Sequence, residues 1–172
     1  MQQFLTSGKI LAWGTSNFSP ERIELLHACA SAKGCTPPSC ASPQYSLAIP
    51  AAPIWEGTTT LTAAHRQVFD RHATKVYAWA TLGEGIVCGK VPERSGSAKC
   101  WSTAVNKERI VRLEQMAIAK GTSVASLAIA YALHGVDSAV VGCRSVEHFQ
   151  DAARASVLKL SARELAYLRC EV

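Results

Sequence analysis

Short apolar runs alternate with helical patterns along this chain, and that alternation limits the fold more than any other feature. Four runs have the length of buried strands: Ile10-Leu11-Ala12-Trp13, Ser39 to Gln44, Val76-Tyr77-Ala78-Trp79 and Ser138-Ala139-Val140-Val141. They predict strands near residues 10–14, 40–44, 76–80 and 138–141. A helix follows each one. Ser19-Pro20-Glu21 supplies an N-cap, a proline at the first helical position and an acid in the first turn, and Ile23, Leu26 and Ala30 share one face. A loop from Ala48 to Thr60 leads to a helix predicted from about Leu61 to His72. Residues Val91 to Thr103 are predicted as an exposed loop, and Asn106 as the cap of a helix marked by Ile110, Leu113 and Ala117 that stops at Gly121. Val124, Leu127, Ala128 and Tyr131 mark the next helix, which stops at Gly135. Another opens at Ser145, and Ser161 with Glu164 forms a capping box for the last.

Strands that alternate with helices imply βαβ units, a parallel sheet and right-handed crossovers. Four such strands make an open sheet or half of an eight-stranded barrel. No G-x-G-x-x-G follows a strand, which argues against a dinucleotide fold of the doubly wound type.

Composition narrows the partners. A 172-residue chain with 48% hydrophobic and 18% charged residues can bury one core, so a single domain over 1–172 is expected. The net charge of +5 is scattered rather than clustered, which excludes a nucleic-acid stripe and suits an anionic small molecule such as a dinucleotide. Seven cysteines, an odd number without a C-x-x-C pair, read as reduced thiols of a cytoplasmic protein. No apolar run approaches membrane length, so no membrane partner is expected. His65 and His72 share a helix face without a further ligand, so no metal is expected. At the N-terminus, Gln2 to Ser7 followed by Gly8 has the form of the last turns of a helix with a glycine stop. The chain either starts inside a helix, as a truncated protein would, or carries a short frayed one.

In β/α barrels the ligand site forms at the carboxyl ends of the strands. There stand Gly14-Thr15-Ser16-Asn17, Pro43-Gln44-Tyr45-Ser46, Trp79-Ala80-Thr81-Leu82-Gly83 and Gly142-Cys143-Arg144-Ser145. Each has an ordinary structural reading alone: turn chemistry, a satisfied amide, a core indole, a solvated cation. Their common place on one rim favours a shared site.

These segments carry a family resemblance. Gly8-Lys9-Ile10 through Gly14-Thr15-Ser16-Asn17-Phe18-Ser19 resembles the aldo-keto reductase pattern G-K-[IV]-x-x-x-G-x-S-N-F-S. Gln44-Tyr45-Ser46-Leu47, Leu82-Gly83-Glu84-Gly85 with Gly89-Lys90, and Val140 to Glu147 resemble three further motifs of that family in the same order. The resemblance covers nearly the whole chain. It implies the C-terminal half of a TIM (β/α)8 barrel with about four parallel strands and surrounding helices. It also implies NADP(H)-dependent reduction of a small carbonyl substrate, or the reverse oxidation of an alcohol.

The resemblance also implies residue roles. Ser16, Asn17 and Gln44 would hold the nicotinamide carboxamide, and Trp79 would stack on the ring. Leu82, Gly83, Gly85 and Lys90 would line the pyrophosphate. Arg144 and Ser145 would meet the 2′-phosphate at a helix N-terminus, with His148 and Asp151 on the adenosine, and Gly142 is a further cofactor-binding residue. Two departures count against tight cofactor binding: Ala80-Thr81 replaces Ser-Pro, and Ala152 replaces an adenine-binding Asn.

The family's catalytic Asp, Tyr, Lys and His belong to the first half of the barrel. Tyr45, Tyr77, Tyr131 and Tyr167 all fall in the second half, so no catalytic residue is expected in 1–172. The expectation is a truncated member of the family, weakly active or inactive. The alternative is a non-enzymatic half-barrel, a nucleotide-binding module or regulatory subunit. In either case open strand edges predict self-association.

Overall fold

The computed structural model describes residues 1–91 and 97–172. Its four strands form one parallel sheet in sequential order: β1 (Gly14–Ser16), β2 (Cys40–Ser42), β3 (Lys75–Ala78) and β4 (Ser138–Ala139). Gly14 pairs with Cys40, Cys40 with Lys75, and Tyr77 with Ser138. This is the order and direction of consecutive β/α units in a (β/α)8 barrel. Before β1 lies α1 (Gln2–Thr6); between and after the strands lie α2 (Pro20–Ala32), α3 (Ala63–Arg71), α4 (Ser97–Trp101), α5 (Ala104–Lys120), α6 (Val124–Leu133), α7 (Val146–Val157) and α8 (Ala162–Leu168). A 3₁₀ segment over Gly83–Cys88 follows β3.

Most caps follow their sequence signals. The Ser19 hydroxyl accepts the Arg22 N–H at the start of α2, and Ser145 accepts the His148 N–H at the start of α7. At α8, Ser161 and Glu164 cap each other, and the hydrogen bond from Lys120 holds the Glu164 carboxyl down to about 2. The Asn106 cap is corrected: Thr103 caps α5, and Asn106 lies in the first turn with 1% of its surface exposed. Thr62 and His65 form a further capping box at α3 that the sequence reading missed.

Two other expectations are corrected. The first strand lies beyond its apolar run, at Gly14–Ser16, and Leu11 is 96% exposed. β1 is an edge strand, with a neighbour on one side only. The stretch Val91–Thr103 is not all exposed loop: it contains α4, whose Trp101 is 1% exposed, while residues 92–96 lie outside the described residues.

Packing divides into two clusters. Ile23, Ala41, Leu61, Val68, Phe69 and Val76 join α2 and α3 to the sheet. The larger cluster gathers Leu47, Val87, Trp101, Leu113, Leu127, Tyr131 and Leu168 around α6. Seven consecutive α6 residues, Ser126 to Ala132, are buried, which is why that helix is apolar on all sides. Each fully buried Leu or Tyr contributes on the order of 2 kcal/mol. Among the described residues no single helix is long and apolar enough to cross a membrane. β1 and β2 approach closely because residue 14 is glycine: a Cβ there would stand 2.4 Å from both the Cys40 carbonyl oxygen and its Sγ.

Candidate functional site

Parallel strands place their carboxyl ends on one rim, and the candidate residues stand there in two groups. The first group gathers at the ends of β1, β2 and β3. The Ser16 hydroxyl donates to the Ser42 carbonyl at 3.1 Å, and the Asn17 amide donates to the Ser16 hydroxyl at 3.4 Å. Asn17 takes a left-handed φ of 58°, and its Oδ1 accepts the Thr59 N–H at 3.2 Å. The Gln44 N–H in turn donates to the Thr59 carbonyl, and the Trp79 N–H donates to the Pro43 carbonyl. Ser16, Asn17, Gln44 and Trp79 are thus tied together through the backbone of 42–43 and 59.

Gln44 is 1% exposed, and its Nε2 donates to the Ser46 hydroxyl at 2.9 Å. Its Oε1 has no partner, and neither has the buried Trp79 Nε1. An unpaired buried polar atom costs about 1–3 kcal/mol, so a ligand supplying a donor to Gln44 and an acceptor to Trp79 would gain from both.

The second group lines a cavity of about 810 Å³ beyond the ends of β3 and β4. Leu82, Gly85, Lys90, Gly142, Arg144, His148 and Asp151 face it, all of them expected site residues. Glu84, Cys88, Val91, Ala125, Ile129, Val141 and Cys143 also line it and were not foreseen. The 3₁₀ segment turns sharply because Gly83, Glu84 and Gly85 all have positive φ. Lys90 folds back over Gly85, where a Cβ would come within 3.1 Å of its side chain. Lys90 and Arg144 give the cavity positive charge, and Arg144 precedes the N-terminus of the 12-residue α7. Glu84 opposes them, but its Oε2 accepts the Trp101 indole N–H at 3.0 Å. Burial pushes the Cys88 thiol up.

Three expected residues are less available. Gly83 is buried, with Ile86 Cγ2 2.8 Å from a would-be Cβ, and does not line the cavity. The Ser145 hydroxyl is occupied as the cap of α7. The Asp151 Oδ1 accepts from Ser123 at 2.7 Å, Ser126 at 3.3 Å and Arg154 at 3.2 Å, so this carboxylate joins α6 to α7.

The histidines on the helices serve packing. His65 Nε2 lies 3.2 Å from the Phe18 carbonyl, and burial pushes the ring's pKa down. His72 stacks on His27 at 3.8 Å and pairs with Glu24 at 2.8 Å. Among the described residues no three His, Cys, Asp or Glu side chains are placed to hold a metal ion.

A rim of this kind on a parallel sheet is shared by many enzymes, and relatives separate them. The model of the Aldo/keto reductase family matches residues 1–170. This chain belongs to the aldo/keto reductase family. Two relatives in Schizosaccharomyces pombe bear the name aryl-alcohol dehydrogenase, by inference only. One is 39% identical and the other 40% identical over 62 residues, 36% of this chain. The match spans 19% and 18% of those relatives' lengths. The family is one of oxidoreductases.

Proposed function

We propose that this chain binds NADP(H), with the phosphates and adenosine in the cavity beside Lys90 and Arg144 and the nicotinamide toward Ser16, Asn17, Gln44 and Trp79. The observation that carries this reading is the cavity itself: a glycine-turned loop on one side, a helix N-terminus on the other, and two cations between. The unpaired Gln44 Oε1 supports the other end, since a carboxamide N–H is a donor it lacks. When bound, the cofactor supplies the hydride for reduction of a carbonyl or takes it from an alcohol. This chain's residues orient the ring and hold the charged end. The names of the two fission-yeast relatives make aryl alcohols and their aldehydes the first substrates to try.

Calorimetry with NADP⁺ and NAD⁺ tests the reading. Arg144→Ala is expected to weaken NADP⁺ by roughly 10–100-fold, the value of one charge-assisted bond to phosphate, and to leave NAD⁺ within about twofold. Equal affinities for both dinucleotides, unmoved by the substitution, would sink it.

A second reading, association with another copy, is favoured by the two edges of the sheet. β1 and β4 each have one strand neighbour, and an exposed apolar side chain adjoins each in sequence: Leu11 before β1 and Val140 after β4. Such edges pair readily with other strands. Sedimentation velocity at micromolar concentration is expected to show dimers or larger species, reduced by Val140→Lys. A single monomeric boundary would overturn this reading.

A further inference from the structure

Trp79 already has a ring against it. Trp55 lies with its ring centroid 4.8 Å from that of Trp79, the planes inclined by 36°. This is the separation of a stacked aromatic pair, and it leaves no room for a third ring between them. Trp55 comes from the loop between β2 and α3 and is 38% exposed, so it covers Trp79 from the solvent side. The loop backbone is fastened. The Ile49 N–H donates to Asn106 Oδ1 at 2.9 Å, and the Ile49 carbonyl accepts from Asn106 Nδ2 at 2.8 Å. The Ala51 N–H donates to the Cys100 carbonyl at 2.7 Å, and Ile54 is buried. Gln44, which pairs with Trp79 as a parallel bridge and is 1% exposed, has its Oε1 unpaired, as is Trp79 Nε1.

We propose that Trp55 is an internal occupant of the ring subsite and sets its affinity: a flat ring stacks on Trp79 only by displacing the Trp55 indole. The proposal rests on the reading that the nicotinamide goes to Trp79. With the backbone held at Ile49 and Ala51, the change needed is a swing of one side chain, not an opening of the loop. That swing gives up at least the aromatic contact with Trp79. The site therefore favours ligands whose ring offers Trp79 a better partner than an indole, and it discriminates against dinucleotides held by their phosphates alone.

The test compares wild type, Trp55→Ala and Trp55→Leu by calorimetry, with NADP⁺ and with adenosine 2′,5′-bisphosphate, which has the phosphate and adenosine but no nicotinamide. Trp55→Ala is expected to tighten NADP⁺ about two- to tenfold, the worth of one aromatic pair, and to leave the bisphosphate unchanged. Trp55→Leu keeps apolar cover without the stacking face and is expected to fall between, so a folding defect in the alanine variant does not rescue the proposal. Unchanged or weaker NADP⁺ binding in both variants overturns it. So does equal tightening of both ligands, which would place the effect away from the ring. Bisphosphate binding without any NADP⁺ preference in wild type or variants overturns the ring subsite while keeping the phosphate cavity. Binding of neither ligand overturns the functional reading, and this inference with it.

Discussion

Purified as 172 residues, this protein is expected to oxidise NADPH in the presence of benzaldehyde-type substrates at below roughly 10⁻² s⁻¹, against an enzyme median near 10 s⁻¹. The expectation rests on the acid that must protonate the carbonyl oxygen, a group that contributes about 10²–10⁴-fold. Among the described residues no tyrosine lines the cavity at the strand ends. Tyr131 is buried, and desolvation pushes its pKa well above the usual tyrosine range, the wrong direction for a proton donor. Tyr45 stacks on Tyr131 and lies under the Arg66 guanidinium, on the helix side of the sheet near Gly135. Tyr167 donates to Gln115 beside Arg112, on α5. Tyr77 is on β3 and exposed. His148, the ring that lines the cavity among the described residues, accepts the Arg144 N–H on its Nδ1 at 3.3 Å. A steady-state assay with a panel of aryl aldehydes decides the matter. Turnover of about 1 s⁻¹ or faster would mean that one of these groups, His148 first, carries the proton.

The β/α alternation was legible because a parallel sheet covered on both faces needs short apolar runs, and because helix caps have local chemistry. Ser19, Ser145 and Ser161 cap where the sequence places them, since each bond spans three residues and needs no tertiary partner. The failures are tertiary. Nothing local shows that Leu11 approaches an edge strand and meets solvent, or that Trp101 is drawn under the 3₁₀ segment to reach Glu84. Asn106 illustrates the same limit: three residues into a helix, its side chain could cap locally, but it bonds to the backbone of Trp101 just before the helix and of Ile49 in a distant loop. At the site, glycines and cations were visible in the motifs. The cover that Trp55 places on Trp79 was not, because a loop of Pro, Ala and Gly carries no periodicity to aim an indole.

Asn106→Leu is expected to cost roughly 3–5 kcal/mol, a fall in Tm of about 6–20 °C for a domain of this size. Asn106 is 1% exposed and makes three bonds to backbone: Oδ1 to the Ile49 N–H at 2.9 Å, and Nδ2 to the Ile49 and Trp101 carbonyls at 2.8 Å each. Leucine fills a similar volume, so the loss comes from polar groups left unpaired, not from a cavity. Water can reach part of Ile49, which is 48% exposed, while the Trp101 side stays dry, so the cost falls short of three full penalties. Asn106→Asp is expected to be at least as damaging: it keeps the acceptor, loses both donated bonds and buries a charge facing two carbonyl oxygens. Val105→Ala, one residue away and 53% exposed, is the control and is expected to stay within about 0.5 kcal/mol of wild type. Chemical denaturation with urea reads all three. A leucine variant within about 1 kcal/mol of wild type would mean that the 49–55 loop does not need this anchor. The backbone that carries Trp55 would then be free to move as a whole, and displacement of its indole would no longer be a single side-chain event.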